Sequence, residues 1–578
     1  MLRPFPLGGM AFPSFFVQRC LTGQPLRLSP LQARRNLPFL PLMTIVDHWS
    51  VSLRSSSTNF ADVAEPGRDD DISCFGTSVL TETLEKKSLL DLDCDNFAMA
   101  TEGENLPFSV VSPGSMEIVG RVPSMGQKET LEAIERSADS LSSWRSTTGS
   151  YRSNLISSWS TLVKENASDI SKIMTLECGK PIRESLGEVL YGASYLDFYA
   201  AEAIRPSSSG GGQLIPTPFA DSVDGKTARG KVIVMKEAIG VTAMITPWNF
   251  PFGMIARKVG PALAAGCTAI VKPSELTPLT AIAIRKLALQ AGIPKDVFQL
   301  ITANKSATSC VGEELCRNPV VKKMSFTGST AVGKLLMKNC SDSVKRVSLE
   351  LGGNAAFIVF DDADVEVAVA AAMSSKYRNA GQTCVCADRF IIHKSIEISF
   401  LERMKKEVER LVVGDGMLEE TTMGPMITPE AVSNVAEKVQ EAIIEGAELI
   451  LGGRKLENIG PNFYAPTIIR NVRESSRIWS EETFGPVACV RTFEDEDEAI
   501  AMANDTTSGL AVYFCSKNIQ RIFRVSERLE NGIVGINDGI ISSAHCPFGG
   551  IKESGLGREG SSEGMTEYVE TKYIFMNI

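Results

Sequence analysis

Apolar positions recur at helical spacing over 127–144 (Leu131, Ile134, Ala138, Leu141) and over 151–176 (Leu155, Trp159, Leu162, Ile170, Ile173), predicting one helix in each. A long third helix is predicted over 182–204. The Ser-, Gly- and Pro-rich run 206–230 breaks the pattern and reads as a loop. Residues 231–245 read as one or two strands. From Val259 onward the pattern alternates: strands at 268–271, 297–301 and 322–326, helices at 278–291, 307–315 and from Thr330. Such alternation predicts a parallel α/β sheet. A second alternating block spans 355–534, and the tail 567–575 reads as a strand.

Between the blocks lies 347–389. A strand-like run delivers Glu350 into a turn at Gly352-Gly353, and a second apolar strand follows at 355–360. Asp361, Asp362 and Asp364 stand where a helix would start, and negative charge is favoured at a helix N-terminus. That helix is expected to stop at Asn379-Ala380-Gly381, where Asn and Gly tolerate the left-handed turn of a cap, with Cys384 in the loop beyond. A carboxylate and a thiol are thus carried at the ends of rigid elements, as a base and a nucleophile need.

Composition narrows the class. The 578 residues are 43% hydrophobic and 22% charged, enough for two or three globular domains. A net charge of -10 argues against a nucleic-acid surface. The longest uncharged run, 238–256, is broken by Pro247, Asn249 and Pro251, so no membrane span is expected. Thirteen cysteines without metal-type spacing fit a reduced compartment, and with only three histidines no metal site is expected. Residues 1–46 hold five Arg, no Lys and no acid, which reads as an organelle transit peptide, a disordered tail being the alternative. The Ser/Asp/Glu/Thr-rich 47–104 reads as mostly flexible.

Four segments carry candidate chemistry. TGSTAVGK, 327–334, follows a strand and opens a helix, a place where glycines let backbone N–H groups reach a pyrophosphate. It nearly spells a P-loop, but Leu335 stands where the metal-binding Ser or Thr should be, leaving a nucleoside triphosphatase as a weaker alternative. Lys272-Pro273-Ser274-Glu275 ends another strand, where a Lys and a Glu could bond both ribose hydroxyls; a solvated charge pair is the plainer alternative. Asn249, between Pro247 and Pro251, offers a rigid amide donor for an oxyanion, or a turn amide bonding its own backbone. Cys384 is the candidate nucleophile, and Cys386 a neighbour facing away.

Together TPWNFP, KPSE, FTGST..G, LELGGN, GQTCVC, EETFGP and PFGG.K.SGLGREG, in this order from about Phe108 to the end, resemble the NAD(P)-dependent aldehyde dehydrogenase superfamily. MITPWNFP, ARKVGPALAAGC, SKYRNAGQTCVCA and NDGIISSAHCPFGGIKESGLGREGS resemble in particular its members that oxidise succinate semialdehyde. The resemblance implies an α/β fold with a Rossmann-type cofactor domain (105–216 and 239–350), an α/β catalytic domain (351–550) and a small β oligomerisation element (217–238 and 551–578). It implies Cys384 as nucleophile, Glu350 as base and Asn249 as oxyanion donor. It implies cofactor contacts from Arg257, Lys272, Pro273, Ser274, Glu275, Gly328, Ser329, Thr330, Ala331, Val332, Gly333, Glu482 and Phe484, with NAD as cofactor and NADP as the alternative. The substrate expected is succinate semialdehyde, held by Arg378 and Ser542; another short aldehyde such as glutarate semialdehyde, or a catalytically silent member of the fold, is the alternative. A Cys384–Cys386 redox disulfide, a homo-oligomer (dimer or tetramer) and a mitochondrial matrix location, with plastid or cytoplasm as alternatives, complete what the resemblance implies. The run 206–230 is longer and richer in Ser and Gly than the family leads one to expect.

Overall fold

In the computed structural model the described residues are 107–577 together with Leu80, Thr83, Leu84, Glu85 and Leu89. Residues 1–46, expected to be a transit peptide, and nearly all of 47–104 lie outside them. The flexible reading fails at Leu80, Leu84 and Leu89, which are buried in the core packed on the first sheet. Their apolar spacing is too short a signal to stand out from polar surroundings.

Two parallel sheets carry the fold. The first runs, in spatial order, Gly555–Leu556, Arg346–Glu350, Val321–Thr327, Val241–Ile245, Thr268–Lys272 and Phe298–Leu300. All its neighbours are parallel except the short Gly555–Leu556, which pairs antiparallel with Arg346–Glu350. The second has seven strands in the order Glu448–Leu451, Thr467–Arg470, Val487–Phe493, Ala387–His393, Ala355–Val359, Ala511–Cys515 and Ile533–Ile536. Only its edge strand Glu448–Leu451 is antiparallel. Strands such as AAFIV, Ala355–Val359, are buried at every position because helices cover both faces of a parallel sheet. Each sheet accordingly has two apolar clusters packed on it. A third, three-stranded sheet joins Gly212–Ile215, Lys231–Ala238 and Val569–Met576.

Several boundaries depart from the sequence pattern. The helix expected over 151–176 is two, Gly149–Glu165 and Ala167–Cys178, because Asn166 leaves helical geometry and its Nδ2 donates to the Leu162 carbonyl at 2.6 Å. The run 231–245 divides between two sheets at Gly240, whose φ of 130° only glycine adopts readily. Residues 551–568, grouped in the sequence reading with the small sheet, instead pair with the first sheet through Gly555–Leu556 and with Ser508–Gly509 through Ile551–Lys552. The small sheet takes its third strand from Gly212–Ile215, ahead of the expected 217–238.

The helix Val365–Lys376 is capped by Asp364, whose side chain accepts from the N–H groups of Glu366 and Val367. It ends at Lys376, before the expected stop, and a 3₁₀ turn, Arg378–Gly381, follows. Asn379, Ala380 and Gly381 all have left-handed φ, 51°, 52° and 76°. A Cβ on Gly381 would overlap the Gly485 carbonyl oxygen. Gly381→Ala combines that overlap with a left-handed backbone costing about 1–2 kcal/mol. We expect a lower denaturation midpoint and lost activity, read by urea unfolding; an unchanged midpoint would show that the turn tolerates a side chain.

Candidate active site

The first-sheet motifs stand at the carboxyl ends of parallel strands, where ligands of such sheets bind. Val241–Ile245 leads into Thr246-Pro247-Trp248-Asn249, Thr268–Lys272 into Pro273-Ser274-Glu275, Val321–Thr327 into Gly328, and Arg346–Glu350 ends on its carboxylate. Cys384 lies just ahead of Ala387–His393, at the amino end of a second-sheet strand. The carboxyl edge of one sheet therefore faces the amino edge of the other across the segment that links them, Leu351 to Asn354.

Two cavities meet at Cys384. One, of about 290 Å³, is lined by Lys180, Glu184, Glu188, Arg257, Arg378 and Ser542 among others. The other, of about 200 Å³, is lined by Asn249, Thr327, Gly328, Ser329, Glu350, Glu482 and Phe484 with five more residues. Cys384 and Met254 alone line both. Asn249 is buried, and its Nδ2 donates to the Gln382 carbonyl at 3.0 Å, which fixes the amide and leaves its second N–H available. Its own carbonyl accepts from Lys180 Nζ at 2.7 Å. Both oxygens of buried Glu350 lack a hydrogen-bond partner.

The electrostatics follow from burial. Burial pushes the Glu350 carboxyl well above its usual range, and the neighbouring Glu559 pushes it further, against Arg257 and Lys258. Glu559 works against the same burial, but Arg257 and Lys258 hold it ionised. Burial pushes the Cys384 thiol up to about 12, which Arg257 partly offsets. Glu482 is pushed up to about 8, by burial first and then by Asp388, while its Oε1 accepts the Gly353 N–H at 3.1 Å.

The residues of the second cavity and its surroundings fit a dinucleotide. The helix Thr330–Cys340 opens directly beyond Gly328-Ser329 with no acid in its first turn, leaving its N-terminus suited to phosphate. Cβ atoms on Gly328 and Gly333 would overlap Phe326 and Leu351, so these glycines let the turn lie close. The buried Thr327 hydroxyl has no hydrogen-bond partner. Lys272 is buried, its pKa lowered by that burial, and Nζ donates only to the Pro273 carbonyl at 3.1 Å. Lys272, Ser274 and Glu275 line neither cavity and stand beside the Ile245 strand end, and of the glycine-turn helix Thr330, Ala331, Val332 and Gly333 also lie outside both linings. Lys334, the near-miss P-loop lysine, pairs with Glu553 at 2.7 Å on the surface. Phe484, at a φ of 49°, packs edge-on against Trp248 with centroids 5.7 Å apart.

Arg257 is assigned to the cofactor by the resemblance. It lines the cavity of Arg378 and Ser542, paired with Glu559 and 4.3 Å over the Phe548 ring. The helix Gly253–Ala265 is buried at every position, so no polar face announces its orientation. Cys386 lines neither cavity; it is a buried free thiol donating to the Lys376 carbonyl at 3.2 Å, and Cys384 is free as well. Sequence reasoning missed Lys180, Glu184 and Glu188, although Glu184 and Glu188 share a helix face at i,i+4 beside the apolar stripe. Among the described residues no cluster could hold a metal ion, and no helix is long and apolar enough to cross a membrane.

Comparison with known proteins places this geometry. The aldehyde dehydrogenase family model matches residues 99–574. The chain is 46% identical over 479 residues to succinate-semialdehyde dehydrogenase [NADP(+)] of Escherichia coli, covering 83% of this chain and 96% of that one. It is 47% identical to glutarate-semialdehyde dehydrogenase of Pseudomonas aeruginosa, covering 80% and 93%. The crystal structure of succinate-semialdehyde dehydrogenase from Burkholderia pseudomallei superposes with a TM-score of 0.80 at 44% identity, covering 86% of this chain and 100% of that one.

The Glu350 environment gives a stability test. A carboxyl whose pKa is raised on folding stabilises the fold below its ordinary value of about 4.3, and that stability is lost as pH rises through the raised value. Glu350→Gln cannot ionise. Its thermal midpoint should therefore match the parent near pH 4 and exceed it increasingly as the pH rises. A pH-independent difference would show that burial does not hold this proton.

Proposed function

Because this chain belongs to the aldehyde dehydrogenase family, we propose that it oxidises succinate semialdehyde to succinate with NAD as hydride acceptor. One observation carries the reading: Cys384 alone, with Met254, lines both a cavity holding Arg378, Arg257 and Ser542 and a cavity holding Glu350 and Asn249. An aldehyde bearing a terminal carboxylate fits the first, with Arg378 gripping the carboxylate and Ser542 adding a hydroxyl donor.

In this reading Cys384 loses its thiol proton to solvent, the thiolate Sγ adds to the aldehyde carbon, and the carbonyl electrons move to oxygen. The free N–H of Asn249 and the backbone N–H of Cys384 hold that oxyanion. A bound NAD would supply the hydride acceptor for oxidation at the tetrahedral carbon. A thioester on Cys384 remains. Glu350 takes a proton from water, the hydroxide adds to the thioester carbon, and the C–S bond breaks to give the carboxylate and the thiol. A carboxyl with raised proton affinity is a better base than an ordinary one. Gly328 to Gly333 would hold the pyrophosphate, Lys272 and Glu275 the adenosine ribose, and Glu482 with Phe484 the nicotinamide ribose.

Glutarate semialdehyde is the second reading, favoured by the Pseudomonas relative. A homo-oligomer is supported by Leu214, Ile215 and Tyr573, apolar side chains exposed on the small sheet. The acid-free, arginine-bearing residues 1–46 support a mitochondrial matrix address.

Three kinetic experiments test the reading. Cys384→Ser should abolish oxidation while nucleotide binding persists, since a thiolate far outdoes an alcohol as nucleophile; near-normal turnover would rule out the thioester route. Arg378→Ala should raise KM for succinate semialdehyde by about 30-fold or more, the loss of a buried charged hydrogen bond being about 2–5 kcal/mol, and spare hexanal. Equal damage to both substrates would make Arg378 structural, and comparing kcat/KM for succinate and glutarate semialdehydes in the parent decides the chain length. Finally, kcat/KM should be higher with NAD than with NADP, because Glu275 would repel a 2′-phosphate, and Glu275→Ser should narrow the gap. The reverse preference, as in the name of the Escherichia coli relative, would show that Lys272 prevails.

A further inference from the structure

Glu184 lies in the wall of the larger cavity and has no part in the chemistry above. It sits in the first turn of the helix Ile182–Glu202 and lines the same cavity as Arg378. Its Oε2 accepts the backbone N–H of Asn379, the residue after Arg378, at 2.9 Å. Asn379 and Ala380 hold left-handed φ of 51° and 52°, a strain that persists only where surroundings enforce it. Those surroundings are Glu184 on the backbone and the Asn379 side chain, whose Nδ2 donates to the Asn249 and Gln382 carbonyls, at 3.3 Å each.

Burial raises the Glu184 pKa, and the Asn379 N–H together with the cations Lys180, Arg378 and Arg183 oppose that rise and favour its charge. Lys180 is committed to Glu188 and the Asn249 carbonyl, and Arg183 donates to the Thr421 carbonyl at 3.0 Å. Arg378 stacks 5.6 Å from the Phe250 ring with its Nε buried and without a hydrogen-bond partner. Glu184 is thus the cavity carboxylate within electrostatic reach of an arginine that other residues leave unneutralised; Glu188 is spent on Lys180 and on the N–H groups of Phe252 and Gly253.

We propose that Glu184 is a positioning residue that sets how tightly the site grips a substrate carboxylate. It fixes the strained backbone that aims Arg378 into the cavity, and its negative charge offsets part of the attraction of Arg378, so that the dicarboxylate product is released. This rests on the proposed reading of the cavity.

Two variants separate the two roles. Glu184→Gln keeps an acceptor for the Asn379 N–H and removes the charge; Glu184→Ala removes both. In Glu184→Gln, KM for succinate semialdehyde and the inhibition constant for succinate should both fall about three- to tenfold, as expected from removing one opposing charge from the cavity wall. Its kcat should fall as product release slows, and KM for hexanal should not move. In Glu184→Ala, KM for the semialdehyde should instead rise. The proposal is overturned if the two variants behave alike, if hexanal shifts with the semialdehyde, or if succinate inhibition does not tighten in Glu184→Gln. Failure of the underlying reading shows separately, in a parent enzyme that does not prefer the semialdehyde to hexanal and an Arg378→Ala variant that does not distinguish them; that result overturns both.

Discussion

A side chain on Gly353 would overlap the carbonyl oxygen of Cys384, and one on Gly381 would overlap that of Gly485. This approach of backbone to backbone is the constraint on which the site depends. Glu350 ends a strand of the first sheet, and three residues later the chain passes against the nucleophile loop of the second. A Cβ at Gly352 would meet Glu482 Oε2 at 2.7 Å, so the same linker is also packed against the carboxylate that takes the Gly353 N–H. Thiol, base and Glu482 are therefore set by one short segment with no room to slacken, and the glycines of LELGGN and GQTC are there for closeness as much as for turning.

That closeness has an electrostatic cost. The seam removes Glu350, Glu482 and Cys384 from water and raises all three pKa values. The surrounding structure does not neutralise them one by one. Arg257 and Lys258 are both spent on Glu559, which stays ionised and adds to the pressure on Glu350. Elsewhere a buried charge is matched directly, as Lys376 is with Asp388 at 2.7 Å. Buried charges are ordinarily paired because desolvation is expensive. The unpaired ones cluster at the thiol, where perturbed groups have chemical use.

Much of this arrangement was legible in the sequence, for definable reasons. Parallel strands end at their ligands, so KPSE, FTGST and LELGGN announce themselves as polar or glycine-rich residues directly after buried runs. What stayed hidden lacked that local contrast. Arg257 lies on a helix buried all round, and only its tertiary neighbours Phe548 and Glu559 show which way it faces. Lys180, Glu184 and Glu188 come from a part of the chain some 200 residues ahead of Cys384, and their polar face reads as solvated until the cavity exists. Asn166 fits the helical spacing of its neighbours, and its break shows only where its side chain turns back on Leu162. The single run 231–245 could not reveal that its halves join different sheets.

The division of the site around Cys384 also explains why its cations and its base stand apart. A guanidinium beside Glu350 would hold that carboxylate ionised and lower its proton affinity, weakening it as a base. A carboxylate paired with Arg378 would occupy the grip proposed for a substrate. In this structure Arg378 faces one cavity and Glu350 the other, with the thiol between them. Arg257 comes nearest to breaking the separation, since it lines the Arg378 cavity yet acts on Glu350 and Cys384. Its pairing with Glu559 resolves the conflict, because the pair leaves little net charge on the base while the guanidinium still favours the thiolate. Arg257 thus acts on both halves of the site at once, on the base side through Glu350 and on the thiol directly.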